Sequence, residues 1–203
     1  VYDQVVSFGE LVSTSIICAY LNHIGIAAEW IDARSCIKTD NFYRSAHLDW
    51  KRTQLAIQNQ VQGKTLKITQ GFIGSDDNNF TTTLGREGSD YSAAIFAYCL
   101  GATDVTIWKD VPGVLNADPR VFDKTQLLHH ISYQEAIELA FYGASVIHPK
   151  TLQPLQRKEI PLFVKSFLNP TENGTQVGKG VRMRPEIPCY IAVSYTHLRA
   201  HET

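Results

Sequence analysis

Apolar positions recur at helical spacing over residues 5–23, where Leu11, Ile16, Ile17, Tyr20 and Leu21 form one stripe and Gly25 follows as a stop. A short strand is expected over 26–31. Residues 34–50 mix polar and aromatic side chains with no period and read as a surface loop, and a helix is expected over 50–61. The hydrophobic run 65–74 has β-propensity and ends in glycines, so it predicts a strand over 65–72. An apolar helix over 89–100 follows, stopped by Gly101, and then a strand over 104–108. Ser132-Tyr133-Gln134-Glu135 is a capping box opening a helix to about Phe141, with Gly143 as its stop. A helix over 151–158, a strand over 162–166 and a loop or linker over 169–180 complete the regular part. A strand start is expected over 188–193; the tail 194–203 has no period and reads as a frayed or non-native end.

Strands that alternate with helices imply parallel βαβ units, in which ligands bind beyond the carboxyl ends of the strands. Two polar stretches fall at such ends. One is Thr81-Thr82-Thr83-Leu84-Gly85-Arg86-Glu87-Gly88-Ser89-Asp90-Tyr91, leading into the helix over 89–100; the other is Lys109-Asp110-Val111-Pro112-Gly113. In the first, glycines allow close approach, the helix start offers free amides, and Arg86 adds a planar fork for carboxylate or phosphate. The same residues also make an ordinary turn with Ser89 or Asp90 as N-cap, and Asp118-Pro119-Arg120 also reads as a plain turn with an exposed arginine.

Composition narrows the classes. The 203 residues are 44% hydrophobic and 19% charged, with a net charge of -1. Lys and Arg are scattered, so neither nucleic acid nor a membrane is expected as partner. No stretch approaches roughly 18 uninterrupted apolar residues. Cys18, Cys36, Cys99 and Cys189 are far apart and mostly in apolar runs, which fits reduced thiols in a cytoplasmic protein. The first residue, Val1, points to a fragment.

Six segments taken together resemble aspartate kinase, of the amino acid kinase superfamily. They are Ser7-Phe8-Gly9-Glu10-Leu11-Val12-Ser13-Thr14, Gln70-Gly71-Phe72-Ile73-Gly74, the 81–91 stretch, Trp108-Lys109-Asp110-Val111-Pro112-Gly113, Asp118-Pro119-Arg120 and Phe141-Tyr142-Gly143-Ala144-Ser145-Val146-Ile147-His148-Pro149. The resemblance covers nearly everything over residues 5–180. It implies an α/β fold, a three-layer αβα sandwich with a mainly parallel open sheet, here incomplete. Residues 1–180 would be a partial catalytic domain and 181–193 a linker toward a regulatory region of ACT domains. The family's N-terminal Lys-Phe-Gly-Gly-Thr segment has no counterpart here, so the 203-residue chain alone is expected not to turn over.

The activity implied is transfer of the ATP γ-phosphoryl group to the side-chain carboxylate of L-aspartate, with Mg2+, in the pathway to lysine, threonine and methionine. Such a carboxylate, with a pKa of about 4, is already ionised and needs no general base, so the work is positioning and charge stabilisation. By resemblance Glu10 takes the substrate ammonium and Arg86 the α-carboxylate. Glu87, Gly88 and Ser89 seat the substrate, and Asp90, with Arg86 in the catalytic set, organises the loop. Lys109, Asp110, Leu115, Arg120, Ser145 and Val146 fall to ATP. Members of the family often carry Thr at position 109, Gly at 87 and Lys at 145, so Lys109 is expected to replace the cation lost at Ser145. No metal-ligating residue is assigned, and the full protein is expected to form a homo-oligomer. The alternatives are another amino acid kinase, acting on glutamate or acetylglutamate, and a noncatalytic nucleotide-binding regulatory partner.

Overall fold

The computed structural model describes residues 1–141 and 146–180. The chain forms two compact units, Val1–Ala102 and Thr103–Thr203.

The N-terminal unit runs α1 (Tyr2–His23), β1 (Ala28–Ile31), α2 (Ala33–Cys36), α3 (Trp50–Gln60), β2 (Leu66–Thr69), β3 (Ile73–Ser75), β4 (Thr81–Thr83) and α4 (Gly88–Leu100). Strands β1 and β2 pair in parallel from Ala28↔Leu66 to Ile31↔Thr69, and β3 and β4 form an antiparallel hairpin. Local chemistry sets the helix starts. Asp32 accepts from the Arg34 amide ahead of α2, and Asp49 from the Arg52 amide ahead of α3. Ile31, Ile37, Ile57, Leu84, Ile95 and Cys99 share the core. Cys18, Cys36 and Cys99 are buried free thiols, and burial pushes the Cys36 thiol up.

Two expectations need correction here. The run over 65–74 is not one strand. It breaks at Gln70–Phe72, where Phe72 is left-handed at φ 72°, and resumes as β3 in a different sheet. The strand that feeds the Gly85 loop is therefore β4. Helix α1 also packs the other way round: Ile16, Ile17 and Tyr20 of its apolar stripe are exposed, while Asp3 and Ser7 are buried. At 22 residues α1 is long and apolar enough to cross a membrane by length and composition alone, although polar residues interrupt its apolar run throughout. Its polar face, however, is bonded to the rest of the unit.

The C-terminal unit contains β5 (Val105–Lys109), β6 (His130–Ile131), α5 (Tyr133–Phe141), α6 (Pro149–Lys158), β7 (Leu162–Ser166) and β8 (Thr175–Val177). Its sheet has the order β5-β7-β8-β6, parallel at β5/β7 and β6/β8 and antiparallel at β7/β8. The capping box forms as expected: the Ser132 amide donates to Glu135 Oε2 at 2.7 Å and Ser132 Oγ accepts from the Glu135 amide at 3.2 Å. His148 caps α6, with Pro149 in its first turn. Leu152, Leu155, Leu162, Val164 and Val177 are fully buried. Strand β8 lies within the segment expected to be only loop or linker; β7 and β6 supply its pairing on both sides.

Candidate functional site

In the N-terminal unit the chain reverses twice around one point. After β4, Gly85 sits at φ 77° and Glu87 at φ 55°, so Arg86 projects from a loop bracketed by two left-handed residues. Helix α4 begins at once with Gly88, and its cap residue Glu87 provides no side-chain cap hydrogen bond. The expected N-cap role of Ser89 or Asp90 is therefore wrong. Both lie in the first turn, because the left-handed Glu87 starts the helix earlier. Gly88 is needed by space, since a Cβ there would come within 2.7 Å of Phe72 Cδ2. Ser89 is exposed beside Gly71, whose missing side chain leaves room for it: a Cβ on Gly71 would lie 3.0 Å from Ser89 Cα. Asp90 places a carboxylate in the first turn, the end of the helix that favours negative charge.

Helix α1 fixes the other wall. Asp3, Ser7, Glu10 and Thr14 follow one another at spacings that keep them on one helix face. Asp3 Oδ2 accepts from the Thr83 amide at 2.8 Å, the Thr83 hydroxyl at 3.0 Å and the Arg44 amide at 2.9 Å. At the other end Thr14 Oγ1 accepts from Gln70 Nε2 at 2.8 Å, and Gln70 Oε1 accepts from the Ala33 amide at 2.8 Å. Half-buried Glu10 lies between these anchors, on the face turned to the ends of β2 and β4. Arg86 is exposed and lines an open pocket of about 430 Å³ with Tyr2, Arg44, Phe72 and Gly85. Sequence reasoning missed Asp3, Arg44 and the side-chain role of Gln70. A lone acid at the start of a helix and an arginine in an aperiodic stretch carry no local signal. Gln70, buried within the 70–74 segment, offered one.

In the C-terminal unit Lys109 ends β5, half-buried, and its carbonyl accepts from the Phe167 amide at 3.0 Å. Asp110 is exposed in the bend that follows, and Leu115 pairs with Leu127 in a short bridge. Arg120 is exposed and makes a fork with Asp118, Nε to Oδ1 at 3.0 Å and an Nη to Oδ2 at 2.7 Å. The Arg120 side-chain hydrogen bonds hold the Asp118 carboxyl below its ordinary value. This is the turn with an exposed arginine that the sequence offered as the simpler reading, and the guanidinium is engaged. Val146 is half-buried in a turn ahead of α6; Ser145 and Gly143 lie outside the described residues. Among the described residues no group of three or more His, Cys, Asp or Glu could hold a metal ion.

Within the N-terminal unit a strand-end loop thus projects an arginine beside a helix start that has no side-chain cap, an arrangement suited to anions in an α/β fold. The chain belongs to the amino acid kinase family, whose model matches residues 1–166. It is 43% identical over 178 residues to the lysine-sensitive aspartokinase 3 of Escherichia coli (strain K12), covering 86% of this chain and 40% of that protein. It is 39% identical to the chloroplastic aspartokinase 3 of Arabidopsis thaliana, with 86% and 32% covered. Among solved structures, E. coli aspartokinase III in complex with aspartate and ADP superposes with a TM-score of 0.84 at 40% identity, over 91% of this chain and 41% of that one. The α/β amino acid kinase fold is thus as expected. The chain spans less than half the length of these relatives.

Proposed function

We propose that the complete protein carrying this chain is an aspartate kinase, transferring the γ-phosphoryl group of ATP to the side-chain carboxylate of L-aspartate to give 4-phospho-L-aspartate. The observation that carries this is Arg86, held out by two left-handed residues at the start of an uncapped helix, in a unit where α1 presents Glu10. An amino acid needs one cation for its α-carboxylate and one anion for its ammonium; Arg86 and Glu10 are that pair. Gly88 and Ser89 let the substrate approach the helix start, Glu87 sets the turn, and Asp90 organises the loop. The similarity to a structure solved with aspartate and ADP supports the same reading.

The nucleotide falls to Lys109, Asp110, Leu115, Arg120, Ser145 and Val146. Mg2+ is carried largely by substrate phosphates in such reactions, so one or two carboxylates suffice, and the exposed Asp110 fits that demand. The ion would neutralise charge on the phosphate oxygens. For Arg120 to reach phosphate it must leave its fork with Asp118, trading one bidentate charge-assisted contact for another. Buried free thiols suit a reducing, cytoplasmic setting, a homo-oligomer is expected, and the product would feed lysine, threonine and methionine synthesis. A substrate panel tests the proposal: acyl phosphate formed from aspartate, and not from glutamate or acetylglutamate, is the result expected. Turnover of another acid would assign a different kinase, and binding of ATP without turnover a regulatory partner.

A further inference from the structure

The pocket that holds Arg86 holds a second guanidinium. Arg44 lines the same cavity of about 430 Å³, with Tyr2, Phe72 and Gly85 completing the wall. Its placement is built by other residues. The Arg44 amide is held by buried Asp3, the carboxylate that also holds Thr83, three residues ahead of Arg86. The Arg44 carbonyl and Ser45 lie against Gly85, where a Cβ would come within 3.2 Å of that carbonyl and 3.1 Å of Ser45 Oγ. The guanidinium stands over the Tyr2 ring, 5.0 Å from its centroid, a contact that orients a cation without neutralising it. Arg44 takes φ 70°, a conformation glycine adopts without strain, yet the chain puts a charged side chain there.

Among the described residues neither Arg44 nor Arg86 has a carboxylate within ion-pair distance. Two like charges on one pocket repel, and an anion bound between them relieves both. A monocarboxylate is answered by Arg86 alone. Two guanidiniums match a ligand with two carboxylates. We infer that Arg44 is a second substrate-anion-binding residue which, with Arg86, selects an amino acid bearing two carboxylates. This rests on the proposed aspartate kinase reading and goes beyond it by naming a specificity residue.

The test is calorimetric titration of L-aspartate into the complete protein, at low and high salt, for wild type and for Arg44→Gln, Arg44→Lys, Arg44→Gly and Arg86→Gln. Loss of one charge-assisted contact predicts about tenfold weaker aspartate binding for Arg44→Gln, equivalent to about 1.4 kcal/mol. Arg44→Lys should fall between, ATP affinity should not move, and the salt dependence of aspartate binding should shrink. Arg44→Gly relieves the left-handed backbone and stays folded, so its loss of affinity reads the charge and not the fold. Aspartate affinity within twofold of wild type in Arg44→Gln and Arg44→Gly, while Arg86→Gln loses binding, overturns the inference and leaves the kinase reading standing. A wild-type protein that binds ATP but not aspartate overturns both.

Discussion

Asp3→Ala should be among the most damaging single changes in the N-terminal unit, and its cost follows from the contacts it removes. Asp3 is 2% exposed, and its Oδ2 accepts three hydrogen bonds, from the Arg44 amide and from the amide and hydroxyl of Thr83. The Arg44 amide belongs to an exposed residue and water can reach it once released. Thr83 is fully buried, so its amide and hydroxyl are stranded. At about 1–3 kcal/mol for each buried group left unpaired, the loss is about 2–4 kcal/mol after relaxation. Asp3→Asn keeps an acceptor oxygen in the same place and should cost about 1 kcal/mol, and both changes forfeit the same modest helix-terminus interaction. The difference between them, about 2 kcal/mol, isolates the acceptor. Urea unfolding followed by circular dichroism, at unchanged slope, measures it. If the two variants unfold within about 0.5 kcal/mol of each other, Asp3 does not anchor β4 and the Arg44 turn, and the account of how Arg86 is positioned fails.

Other consequences are local. Gly174 sits at φ 66° with the Val164 carbonyl directly where a Cβ would go, so Gly174→Ala should break the β7–β8 pairing; thermal melting should show a loss of more than about 2 kcal/mol, and a neutral result would contradict the register. Burial pushes the Tyr133 phenol up to about 12, while its hydroxyl donates to the Ile160 carbonyl at 2.6 Å. The folded state thus favours the protonated form, a contribution intact below about pH 10 and lost as pH rises through the folded value. Stability of wild type against Tyr133→Phe, measured from pH 9 to 12, should converge at the alkaline end; parallel curves would refute this. Lys109→Thr should raise the KM for ATP severalfold and leave that for aspartate unchanged, if Lys109 replaces the cation absent at Ser145; unchanged kinetics would remove the idea.

The sequence announced elements wherever local chemistry and packing agree. The capping box at Ser132 and Glu135 and the strand at Leu162–Ser166 appear where side-chain pattern alone placed them. It hid elements whose pairing comes from elsewhere. Strands β3 and β4 have three residues each, and β4 is three threonines whose burial is set by α1 and the hairpin, not by an apolar period. Helix α1 misled because its conspicuous stripe is the exposed one, while the face that packs is marked by polar residues at the same spacing. Around Arg86, the loop was legible from glycines and charge. The cap was not: the glycine that family members often carry at position 87 hints at a left-handed residue there, but Glu87 itself carries no such sign. Arg44 was invisible for the same reason: only the fold brings its turn against Gly85.

The claim that this chain belongs to an aspartate kinase is most directly tested by expressing the complete protein and measuring acyl phosphate, trapped as hydroxamate, from ATP and L-aspartate, with Arg86→Ala alongside. Product from aspartate, lost or reduced by about a hundredfold in the variant, is the result predicted from a bidentate contact to the substrate carboxylate. No acyl phosphate from aspartate in a folded, ATP-binding protein, or full activity in Arg86→Ala, would contradict it.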